Sequence, residues 1–238
     1  MQLPTHWIGK GPLPMTEHAP TRRRRTGTTG TRPLRAEVPS TIWATGPDAL
    51  NHSDPWPAPI VTRAVTEFSR TGDRVLVLTP PTSTAGRHRT SSTRAALTTI
   101  EGLARSGTIE GLGDRHGPSR TRTQREADEA GLVLASLLPP ENIATSVVDR
   151  IVTRAAARLT AGGVLVVFTR ASHSRDGVLL DPTGLIVSAG QAADLLFLQH
   201  IAAVPIADGA IVAPTVDASR RAPLHAIAHT DVTVLLRP

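Results

Sequence analysis

The sequence predicts a three-layer α/β fold in which helices cover both faces of a mostly parallel sheet. Short continuous apolar runs, such as Arg74–Thr79 and Val164–Thr169, have the length and composition of strands that are buried on both faces. Between these runs, apolar residues recur every three or four positions, which is the period of a helix with one buried face. Because helices and strands alternate along the chain, we expect parallel strands joined by helical crossovers.

The predicted elements follow one another with short connections. In chain order they are a helix with an apolar face over Ile60–Phe68, the strand Arg74–Thr79, a helix with an apolar face over Ala96–Leu103, the strand Leu132–Ser136, a helix over Ile143–Leu159 that stops at Ala161-Gly162-Gly163, and the strand Val164–Thr169. Glycine is expected at that stop because it adopts the left-handed conformation that ends many helices. The strand valines Val75, Val77, Val133, Val164, Val166 and Val167 are predicted to be buried.

The last part of the chain has a different pattern. Leu195–Ile206 is a long apolar stretch, Ala207-Asp208-Gly209 has turn composition, and His229–Pro238 alternates between apolar and polar residues. Two late strands without a long helix between them predict an antiparallel pair at one edge of the sheet.

Two polar stretches interrupt this pattern. Residues 1–38 are rich in Pro, Gly, Thr and Arg without an apolar period, so we expect a disordered segment before a folded domain of residues 39–238. Gly111–Asp128 is predicted to be a long loop.

The basic charge is concentrated in the first of these stretches. The net charge is +6, and the first forty residues carry most of it, including the run Arg22, Arg23, Arg24 and Arg25. An arginine cluster binds phosphate, because the guanidinium group donates two parallel hydrogen bonds. These four residues are therefore either a nucleic-acid-binding arm or a solvated tail.

Composition excludes several classes of protein and site. Without cysteine there is no disulfide framework, thiolate nucleophile or cysteine metal site, and the N-terminus has no apolar signal core, so a cytoplasmic location is expected. The only lysine, Lys10, does not follow a phosphate-binding glycine motif. His225 and His229 are predicted to be structural or surface residues, and no metal site is predicted. His173 and Asp176 follow the carboxyl end of a strand, where α/β sheets place ligands, and are predicted to lie in a polar loop.

Several stretches resemble one family. STIWATGPDAL (Ser40–Leu50), the segment Pro55–Asp73, LVLASLLPPE (Leu132–Glu141), LTAGGVLVVFTR (Leu159–Arg170) and the closing HTDVTVLLRP are similar to segments of the amino-methylating DNA methyltransferases of actinobacterial type. These enzymes belong to the class I S-adenosylmethionine-dependent methyltransferases. The resemblance implies a Rossmann-like three-layer methyltransferase sheet with an antiparallel C-terminal edge strand, and S-adenosylmethionine as the cofactor.

The resemblance also implies a cofactor site after the strand Arg74–Thr79. Thr79, Ser83 and Gly86 fall where the family has an acidic residue and a Gly-x-Gly turn, and Glu110 or Asp114 is the candidate for the acid that accepts the ribose hydroxyls. Pro80 and Pro81 depart from the glycine turn, because proline lacks an amide donor and fixes φ.

Ser136, Pro139 and Pro140 resemble the motif that binds the target base in the family. In the family these positions accept hydrogen bonds from an exocyclic amine while an aromatic residue stacks on the flipped base; here the aromatic position holds Glu141. Thr79-Pro80-Pro81-Thr82 is an alternative proline motif in a permuted arrangement. The altered motifs favour a non-catalytic binding or scaffold module, a pseudoenzyme associated with nucleic acid. An active methyltransferase acting on an exocyclic amino group of DNA or RNA is the alternative.

Overall fold

The computed structural model describes residues 41–51, 53–80, 86–113, 129–139, 143–174, 177–212 and 228–238. The predicted N-terminal segment 1–38 and most of the predicted loop Gly111–Asp128 lie outside these residues. Among the described residues, no helix is long and apolar enough to cross a membrane.

The described residues form four helices and eleven strands. The helices are α1 (Ala58–Phe68), α2 (Gly86–Gly102), α3 (Thr145–Ala156) and α4 (Thr183–Ala192). The main sheet contains β1 (Ile42–Ala44), β2 (Arg74–Thr79), β3 (Ser106–Gly111), β4 (Ala130–Ser136), β5 (Leu159–Thr169), β8 (Leu196–Val204) and β11 (Thr230–Leu236). Two small hairpins pair β6 (Ser172–His173) with β7 (Leu179–Leu180) and β9 (Ile206–Ala207) with β10 (Ala210–Ile211).

The seven-stranded sheet has the order β1-β8-β11-β5-β4-β2-β3. Six strands are parallel to one another, and β11 is antiparallel to both of its neighbours, β5 and β8. The predicted fold class is therefore confirmed. The C-terminal strand is antiparallel, as predicted, but it lies inside the sheet, because β8 and then β1 continue the sheet beyond it.

Helices pack on both faces of the sheet, which gives two apolar cores. One core contains α1 and α2 with Val75, Val77 and Val166 of the sheet. The other contains α3 and α4 with Val133 and Val167. All six strand valines that the sequence predicts to be buried are buried, because the covered strands have no face in contact with water.

The boundary between α3 and β5 differs from the sequence prediction. The helix ends at Ala156, and the strand begins at Leu159 instead of Val164. Leu159 is fully buried in the core beside α3, and the glycines that were expected to end the helix lie within the strand. The amide of Gly162 donates to the carbonyl of Arg237 at 2.8 Å, and the amide of Arg237 donates to the carbonyl of Gly163 at 2.9 Å. Pairing with the end of β11 therefore places Gly162 and Gly163 in the strand β5 and not at the end of α3.

Candidate functional site

A cavity of about 350 Å³ lies beside α2 at the carboxyl ends of the parallel strands. The sheet contributes Thr79 and Pro80 from the end of β2, Ile109 from β3 and Ser136 from the end of β4. The strand β2 lies between β3 and β4, so the order of the strands reverses at this point of the sheet. Ligands of open α/β sheets bind at such reversal points, outside the carboxyl ends of the strands. The volume falls within the range of small-molecule sites.

The other walls of the cavity come from α2 and from the segment before α1. The side chains that complete the lining are Pro55, Trp56, Thr90, Thr93, Arg94, Leu97, Thr98 and Glu101. Most of the α2 residues among them follow each other at intervals of three or four, which places them on one face of the helix. Apolar walls from Trp56, Leu97 and Ile109 meet threonine hydroxyls and two charged groups.

Side-chain hydrogen bonds join the segment before α1 to α2. The indole Nε1 of Trp56 donates to Thr93 Oγ1 at 3.1 Å, and the hydroxyl of Ser92 donates to Asp54 Oδ1. The same Asp54 oxygen accepts from the backbone amide of Trp56 at 2.9 Å. The indole lies edge-on to Phe168 of β5, with ring centroids 5.9 Å apart. The polar end and the apolar body of Trp56 are therefore both held in place.

Of the predicted target residues, Ser136 lines the cavity. Its side chain is buried, and its Oγ accepts a hydrogen bond from the amide of Leu138 at 3.2 Å. The Ser136 hydroxyl hydrogen can therefore be donated to a group in the cavity. Pro139 follows a cis peptide bond from Leu138, and Pro140 lies outside the described residues.

The predicted cofactor residues are not all at the cavity. Thr79 lines it, and Gly86 is the first residue of α2. Ser83, together with the alternative Asp114, falls outside the part of the chain that the structure describes. Glu110 is on β3, but its carboxylate contacts α3, on the opposite face of the sheet from α2.

Two arginines hold the Glu110 carboxylate: Arg154 lies in α3, and Arg158 lies just after it. Oε2 is 2.7 Å from Arg158 Nη2, and Oε1 contacts Arg154 Nε. The Glu110 side chain is 12% exposed and that of Arg158 is 9% exposed, so this is a largely buried ion pair. The carboxylate that was the candidate for the ribose hydroxyls thus binds two guanidinium groups. The sequence prediction missed these partners because α3 and β3 are far apart in the chain.

A second polar cluster lies at the carboxyl edge of the sheet, around Asp231. Asp231 Oδ1 is 3.0 Å from Nε2 of His200 and 3.2 Å from Nε2 of His229, and its Oδ2 accepts from the amide of Ala171 at 3.2 Å. The carboxylate is buried, whereas both imidazoles are about one-third to two-fifths exposed. Both Nε2 atoms converge on one oxygen, which suits hydrogen bonding. Among the residues that the structure describes, no three His, Cys, Asp or Glu side chains, these three included, are placed so that they could hold a metal ion.

Within this cluster the pKa of His229 is raised and the pKa of Asp231 is lowered. The hydrogen bond to Asp231 raises the pKa of His229 above its ordinary value, although burial opposes the shift. Burial alone would raise the pKa of Asp231, but the hydrogen bond from His229 and the charges of both histidines lower it below its ordinary value. The sequence indicated His229 only as a surface or structural residue and did not indicate His200 or Asp231, because only strand pairing brings these three residues together.

His173 is exposed on β6, while Asp176 and His225 lie outside the described residues. The predicted nucleic-acid-binding residues also lie outside the part of the chain that the structure describes, and they are Arg22, Arg23, Arg24 and Arg25. Their role stays a prediction from the sequence.

The strand arrangement agrees with the resemblance found in the sequence, since a parallel sheet is completed by a late antiparallel strand. The fold is methyltransferase-like. No family model matches the chain, and no curated protein sequence matches it significantly.

Solved structures with some similarity to this chain have low sequence identity. TrmN from Thermus thermophilus is 13% identical over 77% of this chain and 50% of its own, with a TM-score of 0.43. A TehB-like SAM-dependent methyltransferase from Corynebacterium glutamicum is 11% identical over 75% of this chain and 87% of its own, with a TM-score of 0.39. The N-methyltransferase NodS from Bradyrhizobium japonicum is 10% identical over 76% and 94%, with a TM-score of 0.38. The chain spans about half the length of TrmN. Similarity at this level carries no argument about activity.

Proposed function

We propose that this methyltransferase-like chain is a non-catalytic binding module that holds a small ligand in the cavity beside α2. The position of the cavity supports this proposal: it lies where the strand order reverses, and side chains of three strands, one helix and the segment before α1 converge on it. Its apolar walls suit the body of a ligand, and the hydroxyl of Ser136 suits a polar group.

The ends of β2 and β3 argue against the usual S-adenosylmethionine site. Thr79 is followed by Pro80, which lacks an amide hydrogen, where the family places an acidic residue and a glycine turn. Glu110 binds Arg154 and Arg158 on the other face of the sheet. The cofactor would therefore lack the acidic residue and the glycine-turn amides that hold it in the family, and an unpaired polar group is costly in a desolvated site. The residues present therefore do not fit this cofactor well.

An active S-adenosylmethionine-dependent methyltransferase is the second candidate, and Ser136 is the observation that favours it. Its side chain lines the cavity two residues before the Leu138–Pro139 bond, where the family binds the exocyclic amine of a DNA or RNA base. Association with nucleic acid through Arg22–Arg25 is compatible with both candidates.

Calorimetric titration with S-adenosylmethionine and S-adenosylhomocysteine separates the two candidates. For the binding module we expect a dissociation constant of about 1 mM or weaker, equivalent to about 4 kcal/mol or less. Micromolar binding would overturn the non-catalytic interpretation. So would methyl transfer to DNA or RNA that is lost in Ser136→Ala and kept in Ser188→Ala, a change at an exposed serine of α4.

The ligand site itself is tested by filling the cavity. Thr98 is exposed and lines the cavity, whereas the adjacent Thr99 does not line it. Aromatic fragments observed by ligand-detected NMR should bind the wild-type protein and Thr99→Trp, and should lose binding to Thr98→Trp. Equal binding to the two variants would place the ligand elsewhere.

A further inference from the structure

The two halves of α2 are held to the rest of the molecule by different forces. The C-terminal half buries Ala96 and Ile100 in the core under the sheet, and Leu97 packs against that core. In residues 90–95, which precede this apolar face, Thr93 is the buried side chain, and it is polar. Apolar packing therefore fixes the end of the helix, while polar contacts are needed to fix its earlier turns.

Those polar contacts come from the segment before α1. Asp54 accepts from the hydroxyl of Ser92, and Trp56 donates its indole hydrogen to Thr93. We call these four residues the latch. Asp54 also accepts from the amide of Trp56, so Asp54 and Trp56 lie in one backbone turn. The latch thus joins residues 54–56 to residues 92–93 at two adjacent points.

The latch is also part of the cavity wall. Trp56 and Thr93 both line the cavity, together with Thr79 and Ser136 at the strand ends. The indole is 4% exposed and rests against Phe168, the strand neighbour of Ser136. A shift of Trp56 would therefore move one wall of the cavity relative to the strand ends.

We propose that Asp54 and Trp56 are positioning residues of this cavity: through Ser92 and Thr93 they hold the earlier turns of α2 against the strand ends and thereby set the width of the cavity. This inference rests on the proposed function only in taking the cavity as the ligand site. The position of the wall is a property of the free protein, so the inference is tested without any ligand.

Hydrogen–deuterium exchange of the full chain measures how stably the earlier turns of α2 are kept in the fold. Asp54→Ala and Thr93→Val each remove an acceptor of the latch, so exchange of peptides covering residues 90–95 should accelerate about tenfold. Peptides covering α1 and β4 should keep their rates. Thr93→Ser retains the hydroxyl and should restore the wild-type rate, which a change in packing volume alone would not do.

Fluorine NMR of protein labelled with 5-fluorotryptophan reports the environment of Trp56, and with it the position of this wall of the cavity. The chain has three tryptophans, so the signal that disappears in Trp56→Phe belongs to Trp56. In Thr93→Val this signal should shift and become sensitive to replacement of H₂O by D₂O, because the indole gains contact with solvent. In Thr93→Ser it should stay at its wild-type position.

Two results would overturn the inference. If exchange over residues 90–95 is unchanged in both Asp54→Ala and Thr93→Val, the latch does not hold α2. If exchange accelerates but the Trp56 signal is unchanged, the latch does not set the cavity wall. Neither result depends on the titrations that test the binding module.

Discussion

Asp231 is a buried carboxylate whose three hydrogen-bond partners come from three segments: His200 in β8, His229 before β11 and the amide of Ala171 after β5. Arg170 and Asp181 are the other charged groups whose fields reach His229. Since these segments are distant in sequence, the cluster links the carboxyl edge of the sheet across three neighbouring strands. Its contribution to stability depends on which groups carry protons.

The two pKa shifts define the pH range in which the cluster stabilises the fold. The pKa of His229 is raised in the folded protein above its ordinary value of 6.5, so its contribution is complete below that pH and is lost as the pH rises through the folded-state pKa. The pKa of Asp231 is lowered below its ordinary value of 3.8, so its contribution is present above that pH and is lost as the pH falls through the folded-state pKa. Both contributions are present together between about pH 4 and pH 6.5.

The replacement Asp231→Asn should therefore destabilise the protein most in weakly acidic solution. We expect a loss of about 2 kcal/mol in the free energy of unfolding at pH 5.5 and a smaller loss at pH 8.5, measured by urea denaturation. Asp208→Asn, at an exposed turn position with positive φ that asparagine tolerates, should change little at either pH. An equal loss for Asp231→Asn at both values would contradict the role of His229.

The sequence identifies some site residues, but pairing between distant segments decides what they do. Ser136 and Thr79 were predicted from the resemblance to methyltransferase motifs, and both line the cavity. The candidate acid Glu110 was predicted on the same reasoning, yet its side chain belongs to the other face because β3 presents alternate residues to opposite sides. When a strand is not recognised in the sequence, the sequence does not show on which face of the sheet its side chains will lie.

At the scale of elements, α4 meets β11 at a point with no room for a side chain. A Cβ atom at Gly190 would lie 2.6 Å from Cδ2 of Leu235, which is fully buried and cannot swing into solvent. Gly184, in the first turn of the same helix, has no atom within 4 Å of the equivalent position. One glycine permits the contact between helix and sheet, and the other does not affect it.

Alanine at these two positions should have opposite effects. Gly190→Ala should lower the free energy of unfolding by about 1–3 kcal/mol, because the added methyl group overpacks the contact with Leu235. Gly184→Ala should leave stability unchanged or raise it by up to about 1 kcal/mol, because alanine favours the helix. Thermal denaturation of both variants tests this pair of predictions, and a neutral Gly190→Ala would show that the helix can move away from the sheet.

Elements with a clear apolar period were predicted well, and elements without one were not. The bounds of β2 agree with the sequence prediction, and α1 covers the predicted apolar face. The strand β3 was missed because SGTIEG lacks a continuous apolar run and much of it is exposed at the edge of the sheet. Leu159 fits both a helical face and a buried strand, so only the pairing with β4 and β11 shows that β5 begins there.

The whole sheet depends on strands that have no contact with water on either face. Val166→Asp places an unpaired charge in the core beside α1 and α2, so the variant should fail to fold, as seen by circular dichroism. The matched change Val178→Asp alters a valine that is 60% exposed and should leave the spectrum unchanged. A folded Val166→Asp protein would contradict the buried position of β5.

The basic N-terminal segment is predicted to act independently of the folded domain. Deleting residues 1–38 should leave the melting temperature almost unchanged while making DNA binding less dependent on salt, because fewer phosphate counterions are released. Replacing Arg22, Arg23, Arg24 and Arg25 with glutamine in the full chain should reproduce the change in salt dependence. Unaltered binding in both proteins would assign these arginines to solvation of the tail.

The internal position of β11 has a consequence for synthesis on the ribosome. Strands β5 and β8 leave the exit tunnel before the strand that lies between them, so for that time both have backbone groups without their final partner. Until Thr230–Leu236 emerges, β1 and β8 have no connection through the sheet to the other strands. Long-range pairing of this kind forms slowly and leaves strand edges open to aggregation. We therefore expect the nascent chain to need a chaperone most between the appearance of β8 and the insertion of β11.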